Sequence, residues 1–401
     1  MKAKILTGLD IGTHSIKMAV LQKREGGEEL EILGFGEELS SGVRRGQVVS
    51  PEEVSRHVVA LKNRIENISG QHIEEVVCNV GGSHLFMVPS HGIVAVSRAD
   101  GHISQEDVER VLQAAQAFSL PSNKEILEVF PRHFVVDGQE QVKEVVGMKG
   151  VRLEADVLAV CGFSPYVKNA TDVVLISGLE VLDVVPSPLM ASSCVLTRQQ
   201  KELGVGVLDM GAGTTGLAVY EEGDLIHTAV FPIGAENITN DIAIGLRCEP
   251  AVAERVKLEF GTCQPGKGRK MERIELADGE HLVFSQKILS HIIEARVKEI
   301  FQLVNKELKQ ISRQGTLPGG MVLSGGGARL PKIVESAKKD LKVTVKVGTP
   351  HGVASVQSDP AYLGVIGLAQ LAYDEDYRPQ KRKLELGFLQ NFKKWFKPFI
   401  P

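Results

Sequence analysis

Tryptophan occurs once in the 401 residues, aromatic side chains make up 5%, and cysteine is confined to Cys78, Cys161, Cys194, Cys248 and Cys263. The cysteines stand singly. No Cys-x-x-Cys or Cys/His spacing suits a metal, and the odd, scattered set excludes a disulfide framework and fits a reducing cytosol. The 11 histidines form no metal-binding pattern. No apolar run reaches the ~20 residues needed to cross a bilayer, and Met1 to Leu9 is too short for a secretory leader. Formal net charge is only −4, so no nucleic-acid partner is expected from global charge. The Gly-x-x-x-x-Gly-Lys-Ser/Thr phosphate loop is missing too.

With 43% hydrophobic and 24% charged residues, the composition is that of an ordinary globular protein. The length allows at least two domains. The main positive signal is a repeat. Gly8-Leu9-Asp10-Ile11-Gly12-Thr13-His14-Ser15 is echoed about 200 residues later by Leu208-Asp209-Met210-Gly211-Ala212-Gly213-Thr214-Thr215. Each copy follows an apolar strand-like run and places a carboxylate at the strand end, then glycines, then hydroxyls. Glycines let backbone N–H groups approach a phosphate chain closely. Carboxylates repel phosphate, so Asp10 and Asp209 make sense as water-bridged ligands of a Mg²⁺ that joins the phosphates. After each turn the chain continues as a strand, not as the helix of a Rossmann fingerprint. The predicted pattern of strand, turn, strand, turn, strand covers Ile16 to Leu21 and Leu30 to Phe35 in the first copy. Leu217 to Tyr220 and Leu225 to Phe231 match it in the second. This reads as two duplicated α/β halves.

A third cluster, Ser324-Gly325-Gly326-Gly327-Ala328-Arg329, follows an apolar strand and precedes a helix-like run, Leu330 to Leu341. It suits close backbone approach to a flat adenosine. Glu254 and Lys257 fall on one helix face, as a surface ion pair or as ribose or base contacts. The nucleotide-binding set is therefore Asp10, Gly12, Thr13, Ser15 and Lys17 from the first turn and Asp209, Gly211, Gly213, Thr214 and Thr215 from the second. Gly234, Glu254, Lys257, Gly325, Gly326, Gly327 and Arg329 complete it, with ATP and Mg²⁺ as the expected ligands.

Between these landmarks, Ser50-Pro51-Glu52-Glu53 predicts a capped helix to about Ile68, with Glu53 as reciprocal partner. Strand-like Glu75 to Val80 follows. Residues 84–162 read as a small α+β insertion, its one clear helix (Ser104 to Phe118) capped by Ser104 and Asp107. Residues 249–318 read as a second insertion, with the basic loop Lys267-Gly268-Arg269-Lys270 and a long helix from Ser285 to about Ile311. The parent halves are then 1–83 with 163–187, and 188–248 with 319–373. Residues 374–383 form a charged linker.

In 384–401, Phe388, Leu389, Phe392, Trp395 and Phe396 fall on one arc at helical spacing, with Lys393, Lys394 and Lys397 on the other side. An aromatic face opposite lysines without acids suits the interface of an anionic bilayer. A helix this short is marginal alone, so folding is expected to accompany binding.

The chain resembles the FtsA family of actin-like bacterial division proteins over nearly its whole length. The paired turns, the Gly325 cluster and the tail carry the resemblance, with Gly101-His102-Ile103-Ser104, Gly147-Met148-Lys149-Gly150, Ser192-Ser193, Pro232-Ile233-Gly234 and Asp241-Ile242-Ala243. It implies an actin-like ATPase fold of two ribonuclease-H-like lobes, the usual upper-left subdomain replaced by one inserted elsewhere. It further implies ATP binding between the lobes, self-polymerisation, and tethering of FtsZ filaments to the cytoplasmic face of the inner membrane. Recruitment of later division proteins follows from the same resemblance. The FtsZ tail would dock on the second insertion, which carries Arg269, Lys270 and Arg273. One departure stands out: many relatives have Asp after the two threonines of the second turn, and this chain has Gly216, which points to slow hydrolysis at most. Other readings on the same superfold are a pilus-assembly adaptor like PilM, a small-molecule kinase and a chaperone.

Overall fold

A computed structural model describes residues 5–23, 29–139, 141–264, 270–276, 279–354 and 359–373. Its first sheet is built on strands Ile5–Ile11, Ser15–Lys23 and Leu30–Leu39, which run antiparallel in succession. Glu75–Val80 then joins the free side of Ile5–Ile11 in parallel, and Glu180–Pro186 joins it in turn. The second sheet repeats this order. Val205–Met210, Thr215–Glu221 and Asp224–Phe231 are antiparallel, and Met321–Ser324 and Val345–Val347 add in parallel beyond Val205–Met210. The duplication read from two short motifs thus extends to strand order and direction. Interior strands of both sheets are apolar on both faces because helices cover them, as in Ile5–Ile11, where Leu6 and Leu9 are buried.

The halves interlock. Val353–Ala354, late in the chain, adds a sixth strand beside Leu30 and Glu31 of the first sheet. Helix Leu363–Leu371 is almost wholly buried. It lies so close to strand Ile5–Ile11 that a Cβ at Gly8 would collide with the Val365 carbonyl. Only a residue without a side chain fits there.

Residues 86–163 hold a separate antiparallel sheet in the order Phe86–Ala95, Arg152–Phe163, Lys124–Val136, Gln141–Val142. Helix Gln105–Ala115 covers it, over a core of Ile103, Val111, Phe134 and Leu153. Its cap forms as expected: Asp107 N–H donates to Ser104 Oγ at 3.3 Å, and Ser104 N–H donates to Asp107 Oδ2 at 2.9 Å. The cap at Ser50 does not. Helix Pro51–Ser69 has Pro51 in its first turn but no side-chain cap bond. The backbone there is tied instead to the Gly42 carbonyl, which accepts from Val49 and Ser50.

The second long excursion contains helix Pro250–Phe260, hairpin Met271–Glu275/His281–Ser285 and the 25-residue helix Gln286–Gln310, whose Ile293, Val297, Ile300 and Phe301 join the core of the second sheet. The helix expected over Leu330 to Leu341 is shorter at its start. A 3₁₀ turn at Gly326–Arg329 comes first, and the α-helix starts only at Ile333. Pro331 disfavours a helical Leu330, and Lys332 has φ 66°, so no helix passes through these residues. No described helix is long and apolar enough to cross a membrane. All five cysteines are free, and burial pushes the Cys78 thiol up to about 12, away from reactivity.

Candidate functional site

The two matched turns meet at one cavity of about 860 Å³, large enough for a nucleotide. The pairing register puts Asp10 opposite Lys17 and Asp209 opposite Gly216, each carboxylate at the end of its strand. All four residues line the cavity. The tips touch: a Cβ at Gly213 would sit 2.8 Å from Thr13 Oγ1 and 3.1 Å from Arg45 Cα. A side chain at 213 would push the halves apart.

Each carboxylate is oriented by a residue distant in sequence. Asn79 Nδ2 donates to Asp10 Oδ1 at 2.9 Å, while Asn79 Oδ1 accepts from Ile11 N–H at 2.7 Å. Lys17 Nζ lies 3.5 Å from Asp10 Oδ2. On the other side Ser324 Oγ donates to Asp209 Oδ1 at 2.6 Å. Burial pushes the Asp209 carboxyl up to about 6, from 3.8. The Ser324 hydrogen bond opposes that rise and the charge of Asp10 adds to it. Two acids close enough to feel each other form a site that a cation would relieve. Among the described residues no group of three or more His, Cys, Asp or Glu could hold a metal by itself. The pair is too few for an all-protein cage, but it suits a Mg²⁺ that keeps waters and takes its other ligands from phosphates.

Most of the sequence-derived set faces this cavity: Gly12, Thr13 and Ser15 from the first turn, Gly211 and Thr214 from the second, and the glycines 325 to 327 with Arg329. Gly325 has φ 81°, and a Cβ at Gly326 would meet no atom within 4 Å, which leaves open room beside that backbone. Glu254 and Lys257 are an ion pair at 2.7 Å and also line the cavity, but the pair is not a surface one, because the Lys257 side chain is only 8% exposed. Lys257 is buried and donates to Thr239 Oγ1 at 2.8 Å. Arg329 is held by Asp359, with Nε to Oδ1 at 2.8 Å.

Three expected residues stand elsewhere. The Thr215 hydroxyl is fully buried and donates to the Ile233 carbonyl at 2.8 Å, so it is not offered to a ligand. Side chains alternate along a strand, and Thr214 and Gly216 take the cavity side. Gly213 serves the contact between turns. Gly234 lies behind the second turn, where a Cβ would collide with the carbonyls of Gly211 and Ala212. Those carbonyls accept from Ala235 and Glu236 at 2.9 Å, which fastens the turn onto helix Ala235–Leu246.

Asn79, Ser324, Glu37 and Gly46 were missed. Glu37 accepts from Ser15 Oγ at 3.0 Å, and Gly46 N–H donates to Thr13 Oγ1 at 2.9 Å. Lys270 and Arg273 lie on the hairpin, away from the cavity. Lys270 pairs with Glu272 at 2.6 Å, and Arg273 is exposed opposite Val283. Arg269 and the segment 374–401 lie outside the described residues.

A family model described as "Cell division protein FtsA" matches residues 206–367, and one described as "SHS2 domain inserted in FTSA" matches residues 82–161. The chain is 35% identical to the cell division protein FtsA of Bacillus subtilis over 384 residues, covering 95% of this chain and 86% of the relative. The Pseudomonas aeruginosa protein is 34% identical over 371 residues, covering 91% and 88%. Among solved structures, a PilM-PilN type IV pilus biogenesis complex matches with a TM-score of 0.67 at 16% identity, over 92% of this chain and 98% of that one. MreB5 of Spiroplasma citri bound to ADP matches with a TM-score of 0.55 at 14% identity, over 92% and 96%. At those identities the structures speak for the fold, which is that of the actin-like ATPases.

Proposed function

The chain belongs to the FtsA family of cell-division proteins, and from that premise we propose that it binds ATP with magnesium between its lobes and anchors FtsZ filaments to the inner membrane at the division site. The convergence of Asp10 and Asp209, one from each half, on one cavity carries the nucleotide part of this reading. Asp10 and Asp209 would hold the magnesium, largely through water. The ion supplies charge neutralisation along the phosphates.

The chain's own groups do the rest. Backbone N–H groups of the two glycine turns and the Thr13 and Thr214 side chains line the phosphate side. The Gly325 to Gly327 segment forms the adenosine side, and Glu254 and Lys257 close the ribose end. Because the turns belong to different halves, a ligand that touches both favours the closed arrangement of the lobes. Hydrolysis is slow in this reading. Gly216 stands where many relatives have Asp, and a Cβ there would lie 3.1 Å from Pro188 Cα, so a carboxylate has little room.

The membrane anchor is the segment 384–401. FtsZ docks through its C-terminal tail on the hairpin that exposes Met271, Arg273 and Val283. Self-association into filaments and recruitment of later division proteins complete the role. The pilus-adaptor alternative rests on a 16% identical structure, against relatives at 35% over most of the chain. Co-flotation is the test. Full-length protein with ATP should carry FtsZ up with anionic liposomes. Failure of FtsZ to float with membrane-bound protein would overturn the anchoring role.

A further inference from the structure

The cavity has a deficit of free positive charge. Lys17 is taken by Asp10 at 3.5 Å, Lys257 by Glu254 at 2.7 Å, and Arg329 by Asp359. Five acids line it, Asp10, Glu37, Asp209, Glu236 and Glu254, against these three bases. A cation near the terminal phosphate, beside the metal, would offset charge that these acids leave unmet.

The hairpin Val43–Arg44/Gln47–Val48 borders the cavity through Gly46, with Arg45 next to it and outside the lining residues. Its tip is Arg45-Gly46, with φ 49° and 74°. The tip is wedged against both phosphate turns: Gly46 N–H donates to Thr13 Oγ1 at 2.9 Å, a Cβ at Gly46 would lie 3.4 Å from Thr214 Cγ2, and Arg45 Cα is 3.1 Å from where a Gly213 Cβ would be. The Arg45 side chain is exposed and has no ion-pair or hydrogen-bond partner among the described residues. We infer that Arg45 binds the terminal phosphate of the bound nucleotide and makes the site prefer a triphosphate over a diphosphate. A guanidinium is long, always charged and able to hold two phosphate oxygens at once. The position, at the junction of the halves, is where the end of a phosphate chain gripped by both turns would lie. Neighbouring Arg44 is also exposed and unpaired among the described residues, but it belongs to the strand and not to the tip that meets the two turns.

The inference rests on the nucleotide reading above, and the experiment separates the two. Affinities for ATP and ADP with magnesium are measured by calorimetry for the wild type, Arg45→Ala, Arg45→Gly, Arg45→Lys and Arg44→Ala. Arg45→Gly suits the positive φ, so the guanidinium is lost without strain. Loss of Arg45 should lower ATP affinity about 10- to 100-fold and leave ADP affinity within about twofold. Arg45→Lys should recover part of the loss, and Arg44→Ala should leave the ATP-to-ADP ratio unchanged. An unchanged ratio in Arg45→Gly, or equal loss for both nucleotides, would overturn the assignment. So would an Arg44→Ala effect as large as that of Arg45→Ala. A wild type that binds neither nucleotide would remove the nucleotide reading itself.

Discussion

Replacing Asp209 by Asn should move stability and binding in opposite directions. Its carboxyl is raised to about 6 from 3.8, first by burial. For an acid, a folded value above the unfolded one means that the native state disfavours the ionised form. At pH 7 the group is ionised in both states, so the folded chain bears the whole difference, about 3 kcal/mol at ~1.36 kcal/mol per pH unit. Cavity water screens part of this, leaving roughly 1–3 kcal/mol. Well below pH 3.8 the group is protonated in both states and the penalty vanishes. Asn removes the charge and keeps an oxygen to accept from Ser324. The ligand-free variant should therefore melt higher at pH 7 by roughly 2–8 °C, and the gain should shrink as pH falls from 6 to 4. The same variant loses a metal ligand, so magnesium–ATP affinity should fall on the order of 100-fold. Scanning calorimetry without ligand, then with magnesium and ATP, reads both effects. A ligand-free variant less stable than the wild type, or one that binds magnesium–ATP as tightly, would refute the reasoning.

Gly326→Ala meets open space. It should leave the ligand-free melting point within the change expected for about 0.5 kcal/mol while weakening nucleotide binding, and undiminished affinity would take adenosine away from that backbone. Asp107 is fully buried; burial opposes its ionisation, but bonds from Ser104, Arg110 and Ser97 hold its carboxyl well below the usual range. Asp107→Ala should cost about 2–4 kcal/mol, seen as faster amide exchange across Gln105–Ala115. The stability this carboxylate contributes should be fully present above about pH 4 and be lost as pH falls below it, because there the opened chain takes up a proton that the native carboxylate still refuses. Deleting 384–401, or Trp395→Glu, should abolish flotation with anionic liposomes, and flotation of the truncated form would remove the anchor from this segment.

The duplicated halves were legible because each is announced by a local string, Asp10 to Ser15 and Asp209 to Thr215, embedded in apolar strands. The capping box at Ser104 and Asp107 was legible for the same reason, since all its atoms lie within four residues. Asn79 and Ser324 were not. They orient the two carboxylates from 69 and 115 residues away, and strand pairing alone brings them there. Thr215 was misread although the signal existed: once Asp209 and Gly216 are paired, strand alternation sends Thr215 to the buried face. The Ser50 cap illustrates the limit of local patterns, because its backbone is captured by Gly42.

A crystal structure with magnesium and a non-hydrolysable ATP analogue tests the central claim most directly. The account predicts phosphates seated between the turns at Gly12 to Ser15 and Gly211 to Thr214, with the metal within water-bridged reach of both Asp10 and Asp209. A nucleotide lodged elsewhere, or a metal facing only one half of the chain, would contradict it.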